Sequence, residues 1–238
     1  MNNVSLVSAS LSVLALLGCG GSPAPEVPPV PLSPSLLQGI WRSAASATST
    51  TSAVVLPDGK MWALVSNASS TRVLKAAFVG QVKGFTGSGT NFTLETPTTS
   101  AVSLTASVVE GSSLSTAIGT GAQAETFSLA YQARYASAAQ LADFAGSWAE
   151  VVGPGTLNWS ISNLGAISGT RTTGCTYSGT LSLRAEKKAV VDVSVTEDCA
   201  GALTQLSGIA VKSEDKLAIT MLMTNKDETA AVALNLTN

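Results

Sequence analysis

From Gly39 onward the chain reads as short runs of alternating apolar and polar residues broken by turn formers, the pattern of half-buried β-strands. Val191-Asp192-Val193-Ser194-Val195-Thr196 and Ala231-Val232-Ala233-Leu234-Asn235-Leu236 keep period two most cleanly. In the first half strands are predicted at residues 39–44, 52–56, 61–66, 74–82, 91–96, 102–109, 114–118 and 126–135. The second half repeats the pattern at 146–152, 157–162, 166–170, 176–184, 190–196, 205–211, 217–224 and 231–236. Turn signals stand between them: Pro57-Asp58-Gly59-Lys60, Asn163-Leu164-Gly165, Glu186-Lys187-Lys188, Glu214-Asp215-Lys216 and Lys226-Asp227-Glu228. Residues 137–144 predict one short helix, with Ser137 as its N-cap and Gly146 just past its end. Even spacing without βαβ alternation predicts an all-β fold: two consecutive small antiparallel up-and-down barrels joined by a short helix.

A repeat divides this body. Leu37-Gln38-Gly39-Ile40-Trp41 recurs as Phe144-Ala145-Gly146-Ser147-Trp148, and each copy opens about half of the strand-like text. The modules are accordingly placed at residues 36–136 and 137–238. The two Gly-x-Trp openings, Gly39 with Trp41 and Gly146 with Trp148, resemble the first strand of lipocalin-like (calycin-type) barrels. That resemblance implies that each Trp packs across one end of its barrel, while the Gly permits close approach of the chain.

Upstream of the body the pattern changes. Residues 4–17 form an apolar run interrupted only by serines, short for a membrane span and suited to a signal-peptide core. It ends in Leu16-Leu17-Gly18-Cys19, which resembles a bacterial lipobox, although Leu17 is bulkier than usual and Met1-Asn2-Asn3 carries no Lys or Arg. The resemblance implies a signal peptide at residues 1–18, cleavage before Cys19 and acyl chains on that cysteine. Two or more chains anchor firmly where one does not. Gly20, by analogy with enteric bacteria, implies sorting to the outer membrane. Residues 19–35 hold six of the nine prolines and read as an extended tether.

Composition narrows the chemistry. Charged residues make up 12% and aromatics 5%, with a net charge of −2 and no basic stripe, so nucleic acid is not an expected partner. Histidine is absent, which excludes Ser-His-Asp triads and His-based metal sites. Acidic residues lie mostly beside turn lysines and are expected on solvated faces. Asp192 and Glu197, five apart on one strand, belong to opposite faces. Gly84-x-x-Gly87-x-Gly89 lacks the Lys-Ser/Thr of a phosphate loop and reads as a flexible hairpin. Residues 46–52 read as exposed edge or loop. No catalytic residue, metal site or cofactor is assigned.

With Cys19 acylated, Cys175 and Cys199 remain, an even pair expected to form a structural disulfide in an oxidising compartment. A hairpin centred near Lys187 would bring their strand ends together. Gly174-Cys175-Thr176-Tyr177-Ser178-Gly179 with a later cysteine also resembles uncharacterised two-module lipoproteins of Gram-negative bacteria, which carry no activity over. Trp62, Trp159, Tyr131 and Tyr135 are candidates for a binding patch, with packing in the core or at barrel ends the favoured role. The expected function is that of a non-enzymatic lipoprotein, anchored in the outer membrane through its lipid, acting as a binding or envelope-structural module with a possible protein partner. The alternatives are a lipocalin-like carrier of a small apolar ligand and a periplasmic inhibitor of a protease or lysozyme.

Overall fold

The computed structural model describes residues 28–44, 49–121 and 124–238; the lipobox and Cys19 lie outside them. Eight antiparallel strands close the first barrel: β1 (Gly39–Arg42), β2 (Thr50–Val55), β3 (Lys60–Ser66), β4 (Thr71–Gly80), β5 (Phe85–Thr93), β6 (Thr98–Val109), β7 (Ser113–Ile118) and β8 (Glu125–Tyr131). Eight more close the second: β9 (Gly146–Val152), β10 (Gly155–Ile161), β11 (Ala166–Arg171), β12 (Thr176–Leu183), β13 (Val191–Cys199), β14 (Ala202–Lys212), β15 (Ala218–Asn225) and β16 (Ala231–Thr237). Each strand pairs with its sequence neighbour, and the first and last strands of each set close the ring. This is the predicted pair of up-and-down barrels.

Three local expectations need correction. The Gly84–Gly89 stretch is a hairpin turn only at its start, where Gly84 closes the β4–β5 turn with a φ of 77°. Gly87 and Gly89 sit in β5, paired with Phe78 and Ala76 of β4. A Cβ at Gly89 would overlap the backbone of that neighbour, so the glycines serve tight strand contact. The linker helix is a single turn, α1 (Leu141–Phe144), preceded by a 3-10 turn at Ala133–Ala136. Ser137 ends the 3-10 turn instead of starting α1, and Gln140 holds the N-cap position without a side-chain hydrogen bond. The intervening chain is held extended because the Ala139 N–H donates to the Lys188 carbonyl. Finally, Thr50–Ser52 belong to β2, and Thr51 is buried.

Each interior is lined by alternate residues, as small barrels require. Trp41, Met61, Phe78, Phe85, Leu104 and Phe127 pack the first. Phe144, Trp148, Trp159, Ile219, Met221 and Leu236 pack part of the second. A third buried cluster joins the barrels: Ile40, Val54, Trp62, Val73 and Phe92 of the first meet Ile209, Val211 and Leu222 of the second. These strands bury both faces, which is why residues 53–56, 61–65 and 221–223 are apolar without interruption. Trp62 is therefore neither barrel core nor binding patch; it lies on the outer face of β3 in this interface. Lys75 packs over its ring at 4.9 Å and forms a 2.7 Å ion pair with Glu228 of the other barrel. Tyr135, in the linker, is buried in the same interface and meets Tyr131 edge-on, with centroids 6.5 Å apart.

Candidate functional site

The repeated Gly-x-Trp motif makes the same contact in both barrels. The Trp41 Nε1–H donates to the Leu37 carbonyl at 3.0 Å, and the Trp148 Nε1–H donates to the Phe144 carbonyl at 2.8 Å. In each case a short helical turn ends four residues before the Trp and its last carbonyl is satisfied by the indole. The glycines differ in their work. A Cβ on Gly39 would strike the Trp41 indole and the Tyr131 ring, whereas Gly146 has a φ of 138°, a conformation that L side chains rarely adopt.

Cys175 and Cys199 are joined by a disulfide, with Cα atoms 4.2 Å apart. The β12–β13 register brings them together by pairing Thr176 with Asp198 and Tyr177 with Glu197. Strand parity then places Tyr177, two residues beyond Cys175, and Glu197, two residues before Cys199, on the same inward face as the bridge.

Glu197 departs from the solvated-face expectation. Asp192 does lie on the opposite face, where it pairs with Arg184. Glu197, however, follows Val191, Val193 and Val195 in parity and points into the barrel. Period two in the sequence carried that signal. Its Oε1 accepts a 2.6 Å hydrogen bond from the Tyr177 hydroxyl. Burial and the neighbouring carboxylate push the Tyr177 phenol up to about 12, while Arg171 pulls the other way. Tyr177 therefore stays a proton donor at any physiological pH. Arg171 itself donates from Nη2 to the Val152 carbonyl at 2.6 Å.

These polar groups stand at one side of a cavity of about 200 Å³ inside the second barrel. Its other walls are apolar: Val152, Leu157, Leu206, Met223, Val232 and Leu234. Trp159 lines it as well, with its ring 5.6 Å from that of Tyr177. The Trp159 indole lies over Gly169 of β11, where any Cβ would overlap the ring. The indole N–H is buried, and neither it nor the Arg171 Nε has a partner among the described residues. Buried donors left in this state are uncommon and costly.

Val152, Val232 and Leu234 flank the seam where β9 meets β16. Those strands share a single register pair, Thr237 with Ala149. Beyond it the Asn235 N–H donates to the Glu150 carboxylate at 2.9 Å. Burial raises the Glu150 carboxyl above its ordinary range, and the Asn235 hydrogen bond opposes that in part.

Of the residues singled out by sequence, the structure places Trp159 on the cavity wall and the Cys175–Cys199 bridge beside Glu197, puts Trp62 and Tyr135 at the barrel contact, and sets Tyr131 between that contact and Trp41 of the first barrel's core. Glu197 and the two sulfurs lie within 4.8 Å of one another, but the sulfurs are bonded together and offer no thiolate to a metal. No helix among the described residues is long and apolar enough to cross a membrane. The chain matches no protein-family model, no curated protein and no solved structure.

Proposed function

We propose that this chain is a non-enzymatic binding protein of the cell envelope, tethered through lipid on Cys19, whose second barrel takes up a small, mostly apolar molecule. One observation carries the reading: six apolar side chains and a buried indole form most of the wall of a cavity of about 200 Å³ in the second barrel. An engineered apolar cavity of about 150 Å³ in another protein admits benzene, so this one suits roughly eight to ten non-hydrogen atoms. The first barrel acts as a scaffold, docked through the Trp62 interface. Tyr177, held protonated, is a poor general base at neutral pH. The lipobox at Leu16–Cys19 and the Pro-rich stretch after it support the tether, and Gly20 supports an outer-membrane address.

Titration of the protein with toluene, followed by methyl NMR, tests the binding. The Met223 and Leu234 methyl signals should shift and saturate, and a Leu206→Phe variant that fills the cavity should abolish the response. Unmoved methyl signals at saturating toluene would remove the reading. For the tether, Cys19→Ser should move the protein from the membrane to the soluble fraction. Continued membrane retention would overturn it.

A further inference from the structure

Resting on the lipid tether proposed above, we infer that the first barrel stands on the membrane surface with the end where the tether enters it, and that Val79, Val82 and Val109 around that end lie against lipid.

The chain joins the barrel before residue 35. The Leu32 N–H donates to the Gln81 carbonyl at 3.0 Å, and a Cβ on Gly80 would overlap the Leu32 backbone. A Cβ on Gly59 would press on Pro34 in the same way. Leu32 and Leu36 pack onto the barrel core, in which Leu37 is fully buried. The tether is thus fastened across the end that carries the β2–β3, β4–β5 and β6–β7 turns. Cys19 lies thirteen positions before Leu32, a reach of at most about 45 Å. Strand β6 alone, with 12 residues, runs about 40 Å. Turning the opposite end of the barrel to the membrane would consume nearly all of that reach, so the fastened end is the near one.

The exposed apolar surface is distributed to match. Among the described residues, the first barrel and its tether expose four large apolar side chains: Val30, Val79, Val82 and Val109. All four lie at the fastened end. Val79 and Val82 flank Gly80 and Gln81 at the β4–β5 turn, and Val30 stands two residues before the Leu32 contact. Val109 ends β6 beside that turn, because Phe85 pairs with Ala106. The turns of the opposite end carry Asn67, Ser69, Ser70, Glu95 and Thr96 instead. Single exposed valines need no explanation, but a set confined to the anchored end marks a contact surface. Charges there cancel: Lys83 stands beside Val82, Glu110 beside Val109, and Lys60 pairs with Asp58 at 2.8 Å. The contact is therefore apolar and has no need of anionic headgroups. Three valines hold lipid weakly by themselves; acyl chains on the same molecule make the contact intramolecular and raise the effective concentration of lipid.

Methyl NMR of the full lipidated chain in phosphatidylcholine nanodiscs doped with a gadolinium-chelate lipid tests this orientation. The Val79, Val82 and Val109 methyl signals should relax several-fold faster than those of Ala68 and Thr96 at the opposite end. Adding phosphatidylglycerol should leave the pattern unchanged. A Val79→Asp and Val82→Asp double variant should stay on the nanodisc and lose the difference between the ends, with the Leu104 methyl signal of the core unmoved as the check on folding. Equal relaxation at both ends, or faster relaxation of Ala68 and Thr96, would overturn the inference with the tether intact and leave the valines to a protein partner. A difference that survives in the double variant, or that forms only with phosphatidylglycerol, would overturn the apolar contact. A chain that does not associate with the nanodisc at all would instead remove the tether reading beneath it.

Discussion

Trp148 donates its indole hydrogen to the carbonyl of Phe144, four residues earlier, at 2.8 Å. The bond ties the last carbonyl of the linker helix to the opening strand of the second barrel, and Trp41 repeats it on Leu37. Both indoles are buried. Replacing either by Phe removes the donor, strands a carbonyl and leaves a void, which together cost about 2–4 kcal/mol. Trp41→Phe and Trp148→Phe should therefore each lower stability by that amount in urea titrations. Because the two sites lie in different barrels, the double variant should lose close to the sum. A loss under 1 kcal/mol in both would deny the bonds a structural role.

Much of this arrangement was legible in the chain, for physical reasons that vary by region. Period two exposes a strand only where one face is wet, as in Val191–Thr196, and the Gly-x-Trp repeat divided the barrels because each opening makes the same turn-to-indole bond. The contact between barrels was hidden. Burial on both faces erases alternation, so Ala53–Leu56 and Met61–Val65 read as strands without disclosing a partner. The continuous apolar runs were the available clue. The cavity was hidden more deeply, since its volume depends on how inward side chains from several strands sum across the barrel. Glu197 lay between these cases: its parity with Val195 pointed inward, but its charge suggested solvent.

The turn between β13 and β14 offers a stabilising change. Cys199 pairs with Ala202, which leaves Ala200-Gly201 as a two-residue loop with φ of 56° and 89°. Positive φ at both positions defines a type I′ turn, which favours Asn-Gly. Alanine in the left-handed region costs about 1 kcal/mol, and here its side chain is exposed and packs on nothing that would repay it. Ala200→Asn should raise stability by about 0.5–1 kcal/mol in thermal or urea unfolding. An unchanged or lowered midpoint would contradict the turn assignment.

The neighbouring disulfide should matter more. Cys175 and Cys199 are separated by 24 positions. Loop-closure entropy assigns such a bridge about 3.5 kcal/mol. Reduction, or a Cys175→Ser and Cys199→Ser double variant, should cost about 3 kcal/mol and loosen the Tyr177–Glu197 pair that the bridge abuts. Hydrogen exchange along β12 and β13 should rise more than along β4 and β5 of the first barrel. Uniform change across both barrels would mean that the bridge does not act locally.

The seam of the second barrel carries a pH signature. Glu150 points inward from β9, half-buried, and accepts one hydrogen bond from the backbone of Asn235. Burial disfavours its charged form, so its carboxyl in the folded protein titrates above the unfolded value near 4.5. Folding thus favours the protonated group. No penalty exists below the unfolded pKa; the cost grows as pH rises towards the folded pKa and is constant above it. Gln at this position keeps an oxygen for the Asn235 N–H and carries no charge. Glu150→Gln should therefore stabilise the protein at pH 7, and the gain should fade as pH drops towards 4. Urea unfolding of the variant and its parent at both pH values isolates the effect, since the other carboxylates cancel in the difference. A gain that persists undiminished at pH 4, or a loss at pH 7, would show that the charge on Glu150 is well accommodated at the seam.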